Sequence, residues 1–116
     1  MRQFLAVPAA IVLTVAAVPL LAAPVTRGCF LSVDGRVLVD RPCDVDAMAD
    51  GSFTFNTADR GGQVDYVAFV SRTGPATAQA SWNGERGATH ADAPLGPVRR
   101  EGACWVNTRT RLCVRP

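Results

Sequence analysis

Residues 76–83 read ATAQASWN. Ala76, Ala78, Ala80 and Trp82 fall on one side of an extended chain, and Thr77, Gln79, Ser81 and Asn83 on the other. Successive side chains of a strand point to opposite faces, so this period of two predicts a half-buried β-strand. Three methyl side chains followed by one large ring suit the inside of a tightly curved sheet.

The pattern continues in both directions. QVDYVAFVS, residues 63–71, is the longest strand candidate, with Val64, Tyr66, Ala68 and Val70 on one face and Val67 and Phe69 on the other. Apolar residues on both faces predict cover on both sides. SFTFN (52–56) is a short strand and TADRGG (57–62) a turn. Further upstream, CFLSVDGRVLVD (29–40) holds two apolar runs around Asp34-Gly35, a dipeptide that tolerates positive φ at both centres of a tight hairpin. An unbroken ladder from that turn predicts Leu31 opposite Leu38 and Phe30 opposite Val39. RPCDVDAMADG (41–51) reads as a loop with one helical turn. Downstream, GERGATHADAPLG (84–96) reads as a long polar loop, PVRRE and ACWVN as strand pieces on either side of Gly102, and TRLCVR (110–115) as the last strand. The expectation is an all-β fold, a small antiparallel barrel or sandwich of about seven or eight short strands, preceded by an N-terminal signal helix. The barrel is favoured, because joined edges protect a small sheet from aggregation.

The first residues stand apart from this β pattern. MRQFLAVPAAIVLTVAAVPLLAAPV carries Arg2 and then no charge until Arg27. A basic start, an apolar stretch and small residues before Pro24 are the features of an export signal, cleaved after Ala22 or Ala23. The domain reading is a signal peptide at 1–23 and a single β domain at 24–116. The alternative is an uncleaved anchor, which would be the chain's only attachment to a membrane. Residues 24–116 hold eleven arginines against ten acids, a net charge of +1. That field is too weak to argue for nucleic acid. Residues 24–83 carry a net −2 and residues 84–116 a net +3.

A domain of about 93 residues folds with little stability to spare. Four cysteines in an exported chain of that size read as two disulfides in a periplasmic or secreted protein. In CWVNTRTRLC, residues 104–113, a two-residue loop at Thr108-Arg109 places Cys104 opposite Cys113, Trp105 opposite Leu112 and Val106 opposite Arg111. The parity puts the cysteines on a non-hydrogen-bonded pair, where Cβ atoms come closest. Thr-Arg is a poor loop dipeptide, and Asn107 is the residue that would supply a left-handed position if the loop were longer. Cys29 and Cys43 then pair around the Asp34-Gly35 hairpin, although spacing alone leaves the crossed connectivities open. No C-x-x-C occurs, so neither a zinc site nor a redox dithiol is expected.

The tail GACWVNTRTRLCVR, with SWNGE and HADAPLG before it, resembles a set of short exported proteobacterial proteins that share Cys-Trp-Val-Asn followed by a second cysteine. The matching positions are Trp82, Asn83, Gly84, His90, Pro94, Leu95, Gly96, Cys104, Trp105, Val106, Asn107 and Cys113. The resemblance covers most of residues 24–116 and implies no particular activity. The expected architecture is also similar to the small periplasmic barrels that inhibit c-type lysozyme. Their serine- and glycine-rich inhibitory loop has only SVDG (32–35) as a counterpart here.

The catalytic inventory is thin. His90 is the only histidine and stands two residues from Asp92. Together they are half of a metal site, and a small metal-dependent enzyme using them is the most chemical of the alternatives. Asp44, Asp46 and Asp50 before Gly51 lack EF-hand spacing. No G-x-S-x-G nucleophile turn occurs. The expectation is therefore no enzyme, no cofactor and no metal, but an exported binding or structural module of the cell envelope, with an envelope protein or glycan as partner. Inhibition of a hydrolase such as c-type lysozyme is the narrower alternative. Candidate binding residues are Trp82, His90, Asp92, Trp105, Asn107, Arg109 and Arg111, since tryptophan and arginine anchor interfaces.

Overall fold

A computed structural model describes residues 24–58 and 61–116. The signal helix and its cleavage point, expected within residues 1–23, lie outside the described residues. The described chain is all-β. Its strands are β1 (Val25–Val33), β2 (Arg36–Ala47), β3 (Phe53–Ala58), β4 (Val64–Arg72), β5 (Thr77–Trp82), β6 (Ala93–Glu101), β7 (Cys104–Val106) and β8 (Thr110–Arg115). Each pairs antiparallel with its neighbour in sequence, and β1 also pairs with β8 from Gly28↔Arg115 to Val33↔Thr110. The result is a closed, up-and-down, eight-stranded barrel.

The alternation that announced β5 is the one that fills the barrel. Ala78 and Ala80 are buried, and their small size lets the opposite walls approach. The interior between them is filled by Leu31, Val39, Phe55, Val70, Val98 and Leu112. On β4, Ala68 and Val70 are buried while Val67 and Phe69 are half-covered, as expected from a strand apolar on both faces.

Two expectations about β2 need correction. Asp34 (φ 51°) and Gly35 (φ 78°) do make the two-residue turn, with Val33 opposite Arg36. The ladder then slips between Leu31 and Ser32, so Leu31 faces Val39 and Phe30 faces Asp40. A β-bulge at Leu38 lets Leu31 and Val39 point into the core together, which an unbroken ladder would have prevented. Residues 41–47, read as loop, continue β2 as far as Ala47. Charged side chains at Asp40, Arg41, Asp44 and Asp46 hid a strand whose inward positions are Val39, Cys43 and Val45.

Two disulfides close the ladder at separate places, Cys29–Cys43 and Cys104–Cys113. Cys104 and Cys113 are direct partners with Cα atoms 4.0 Å apart. Ladder bonds at Asn107 N–Thr110 O and Val114 N–Ala103 O fall three residues to one side of the pair and one to the other, both odd offsets, so its non-hydrogen-bonded parity holds. Cys29 lies opposite Arg41 and Cys43 opposite Arg27, which makes the other bond a diagonal one between β1 and β2, with Cα atoms 5.8 Å apart. Two disulfides fit an oxidising, non-cytoplasmic compartment.

Candidate functional site

An up-and-down barrel has two ends, and here they differ. One end carries the β1–β2 turn, the link between β3 and β4, the 83–92 loop and the β7–β8 turn. It is tied shut by side chains. The other, the mouth, carries residues 48–52, 73–76 and 102–103, with the start of β1 and the finish of β8.

At the tied end, Asp65 is buried at the start of β4. Its carboxylate accepts hydrogen bonds from the guanidiniums of Arg41 on β2 and Arg86 in the 83–92 loop; a second bond from Arg86 Nη2 measures 3.2 Å. The hydrogen bond from Arg86, then the one from Arg41, holds the Asp65 carboxyl below the usual carboxylate range against the opposing effect of burial. Asn83 Nδ2 donates to the carbonyls of Asp65 and Ala88, both at 3.0 Å, and pins the same loop to β4. Across the end, Arg109 forms a two-pronged ion pair with Asp34, at 3.1 and 3.0 Å, joining the two hairpin turns. This bond pushes the Arg109 guanidinium pKa upward.

Asn107 does not take the left-handed conformation. Among the described non-glycine residues only Asp34 has positive φ. Asn107 works through its side chain instead. Oδ1 accepts from the backbone N–H of Arg109 (3.0 Å) and Thr110 (2.8 Å), which holds the unfavourable Thr108-Arg109 loop. Nδ2 donates to the carbonyls of Leu95 (2.9 Å) and Pro97 (3.0 Å) on β6. Those carbonyls lie beyond the reach of β7, which pairs with β6 only from Arg99 to Glu101. One amide thus completes a ladder that a three-residue strand leaves short.

The other candidates separate. Trp82 is half-buried and stacks on Tyr66 with ring centroids 6.2 Å apart. His90 and Asp92 are exposed in or beside the 83–92 loop, and no group of three potential metal ligands assembles around them or elsewhere among the described residues. Arg111 lies on the outer wall, 3.9 Å from Glu101. Trp105 alone of these candidates belongs to the mouth.

There Trp105 is buried at the barrel floor, with two arginines over its ring. The guanidinium carbon of Arg72 is 5.4 Å, and that of Arg100 6.0 Å, from the ring centroid. The register explains the convergence. Arg100 is the direct partner of Trp105 across β6–β7, and Arg72 ends β4 in line with inward Val70 and Ala68. Both sit at inward positions where the core runs out, so their stems cover apolar surface while their heads reach water. Arg72 is held in place by its own turn, donating from Nε to Gly74 O (3.1 Å) and from Nη2 to Pro75 O (2.8 Å). Neither arginine forms an ion pair with a carboxylate among the described residues. Beside them opens a cleft of about 210 Å³ walled by Val45, Phe53, Trp105 and Val114.

Arg100 lies five positions before Trp105, close enough in the chain for a local reading to join them. Arg72 lies 33 positions before it, at the end of β4, and only the rolling of the sheet brings it near. No family model, curated protein or solved structure matches the chain.

Proposed function

We propose that the protein is an exported, disulfide-stapled binding module of the cell envelope and that the barrel mouth is its binding face. The observation that carries this is the pair of guanidiniums, unpaired with any described carboxylate, gathered over one buried indole at the open end. Export is supported by the basic and apolar first residues and by two cross-links in so small a domain. A purely structural part would not need to hold two cations over a ring where hydrogen bonding and solvent compete for them. Binding, with no chemistry of its own, is the reading that uses these residues.

The experiment is capture of partners from envelope extract on immobilised protein, beside the double variant Arg72→Gln/Arg100→Gln. Proteins or glycans retained by the wild type and lost by the variant support the mouth as the binding face. Equal capture by both moves the face elsewhere on the barrel, and no capture by either favours a structural role. A c-type lysozyme among the captured proteins would lead directly to an inhibition assay.

A further inference from the structure

We infer that the mouth takes a small monocarboxylate whose apolar body is about the size of one aromatic ring. This rests on the reading of the mouth as a binding face and goes further by naming the ligand class.

Size comes first. The cleft holds about 210 Å³. Pockets for drug-sized ligands start near ~300 Å³, and an apolar cavity of roughly 150 Å³ takes up benzene. One ring with a short acidic arm fills the space, and a larger partner reaches it only by presenting such a group. Chemistry of the walls comes second. Val45, Phe53, Trp105 and Val114 offer apolar and aromatic surface with no carboxylate among them. A flat body against Phe53 and Trp105 gains the area and ring contacts that such surfaces favour.

Charge comes third. Arg72 and Arg100 both border the cleft. Arg72 spends Nε and Nη2 on its own turn and leaves Nη1 directed toward Gly51, where a Cβ would sit only 2.8 Å from it. Among the described residues Arg100 spends only Nε, on Gly102 O at 3.4 Å. The one acid on the 48–52 loop, Asp50, accepts from the Ser52 backbone N–H at 2.8 Å and feels the charge of Arg72 without forming an ion pair with it. Guanidinium N–H groups with no acceptor among the described residues, at the rim of an apolar hole, select a carboxylate over a neutral or cationic end. Gly51 belongs to the same device, since it leaves Arg72 the room to turn inward.

The test uses protein purified with both disulfides formed. Its probes are phenylacetate, the uncharged analogue benzyl alcohol, the cationic benzylamine, and acetate, which carries the charge without the ring. Binding is read by calorimetry and by emission of Trp105 in a Trp82→Phe background. Phenylacetate should bind at least tenfold more tightly than any of the other three. Arg72→Gln and Arg100→Gln should each weaken it tenfold or more, with melting temperature unchanged within a few degrees. Benzyl alcohol binding as well as phenylacetate would overturn the charge selection, and acetate binding as well would overturn the ring. Failure of all four probes would overturn the ligand class, whereas the mouth as a binding face is judged separately by the envelope capture.

Discussion

Asp65 sets how the molecule meets acid. Its folded pKa lies below the ordinary value because Arg86 and Arg41 bond the ionised form. A depressed carboxyl stabilises the fold at every pH above its unfolded value near 3.8, and that contribution fades as pH falls through the lower folded value. Urea midpoints measured from pH 7 down to pH 2 should therefore drop steeply below about pH 4. Asp65→Asn should cost about 2 kcal/mol at pH 7, through loss of the charged acceptor that Arg41 and Arg86 share, and should flatten that acid limb. Asn107 invites a comparable test. Asn107→Ala loses four hydrogen bonds and should cost about 2 kcal/mol by thermal or urea unfolding. Asn107→Asp keeps the two acceptor bonds of the turn and should lose only the link to β6. The residue stood out in the sequence, but its work did not. Its partners at Leu95 and Pro97 lie across a fold that local spacing does not describe. Asp65 passed unnoticed for the same reason, as one polar residue at the start of an apolar strand.

At the scale of the strands, regular alternation was readable and departures from it were not. β5, β4 and the hairpin of β7 and β8 follow the period of two closely, and Cys104 faces Cys113 as parity demands. The bulge in β2 and the one between Ala80 and Ser81 on the β5–β6 ladder are adjustments to curvature that a one-strand pattern cannot carry. At the second, Leu95 is the extra residue and Gly96 supplies φ of 89°. A Cβ at Gly96 would meet nothing within 4 Å, so Gly96→Ala tests conformation alone. It should cost about 1–2 kcal/mol in unfolding free energy, with Gly96→Asn less damaging. The hairpin staple belongs to this scale too. Cys104→Ala/Cys113→Ala should lower stability by about 3 kcal/mol, a fall in melting temperature of roughly 12–24 °C. Equal melting curves for this variant and the wild type would refute the staple.

For the whole molecule, the strand count, the all-β class and the preference for a barrel were legible, whereas the seam that closes it was not. The choice between barrel and sandwich depends on β1 meeting β8, and no local feature of VTRGCFLSV or TRLCVR announces the other. The mouth inherits that limit, since Arg72, Arg100 and Trp105 become neighbours only in the rolled sheet. Reducing both disulfides should remove several kcal/mol from a small core and leave the protein largely unfolded at modest urea, as circular dichroism with and without dithiothreitol would show. The β1–β8 seam also has a temporal meaning. The first strand of the barrel must wait, with one flank unsatisfied, for the last one to arrive. Until then the chain is an open ribbon whose exposed border can recruit the wrong partner. A molecule wired this way depends on escort or on speed during that interval, and under the proposed export its yield should fall as translocation is slowed.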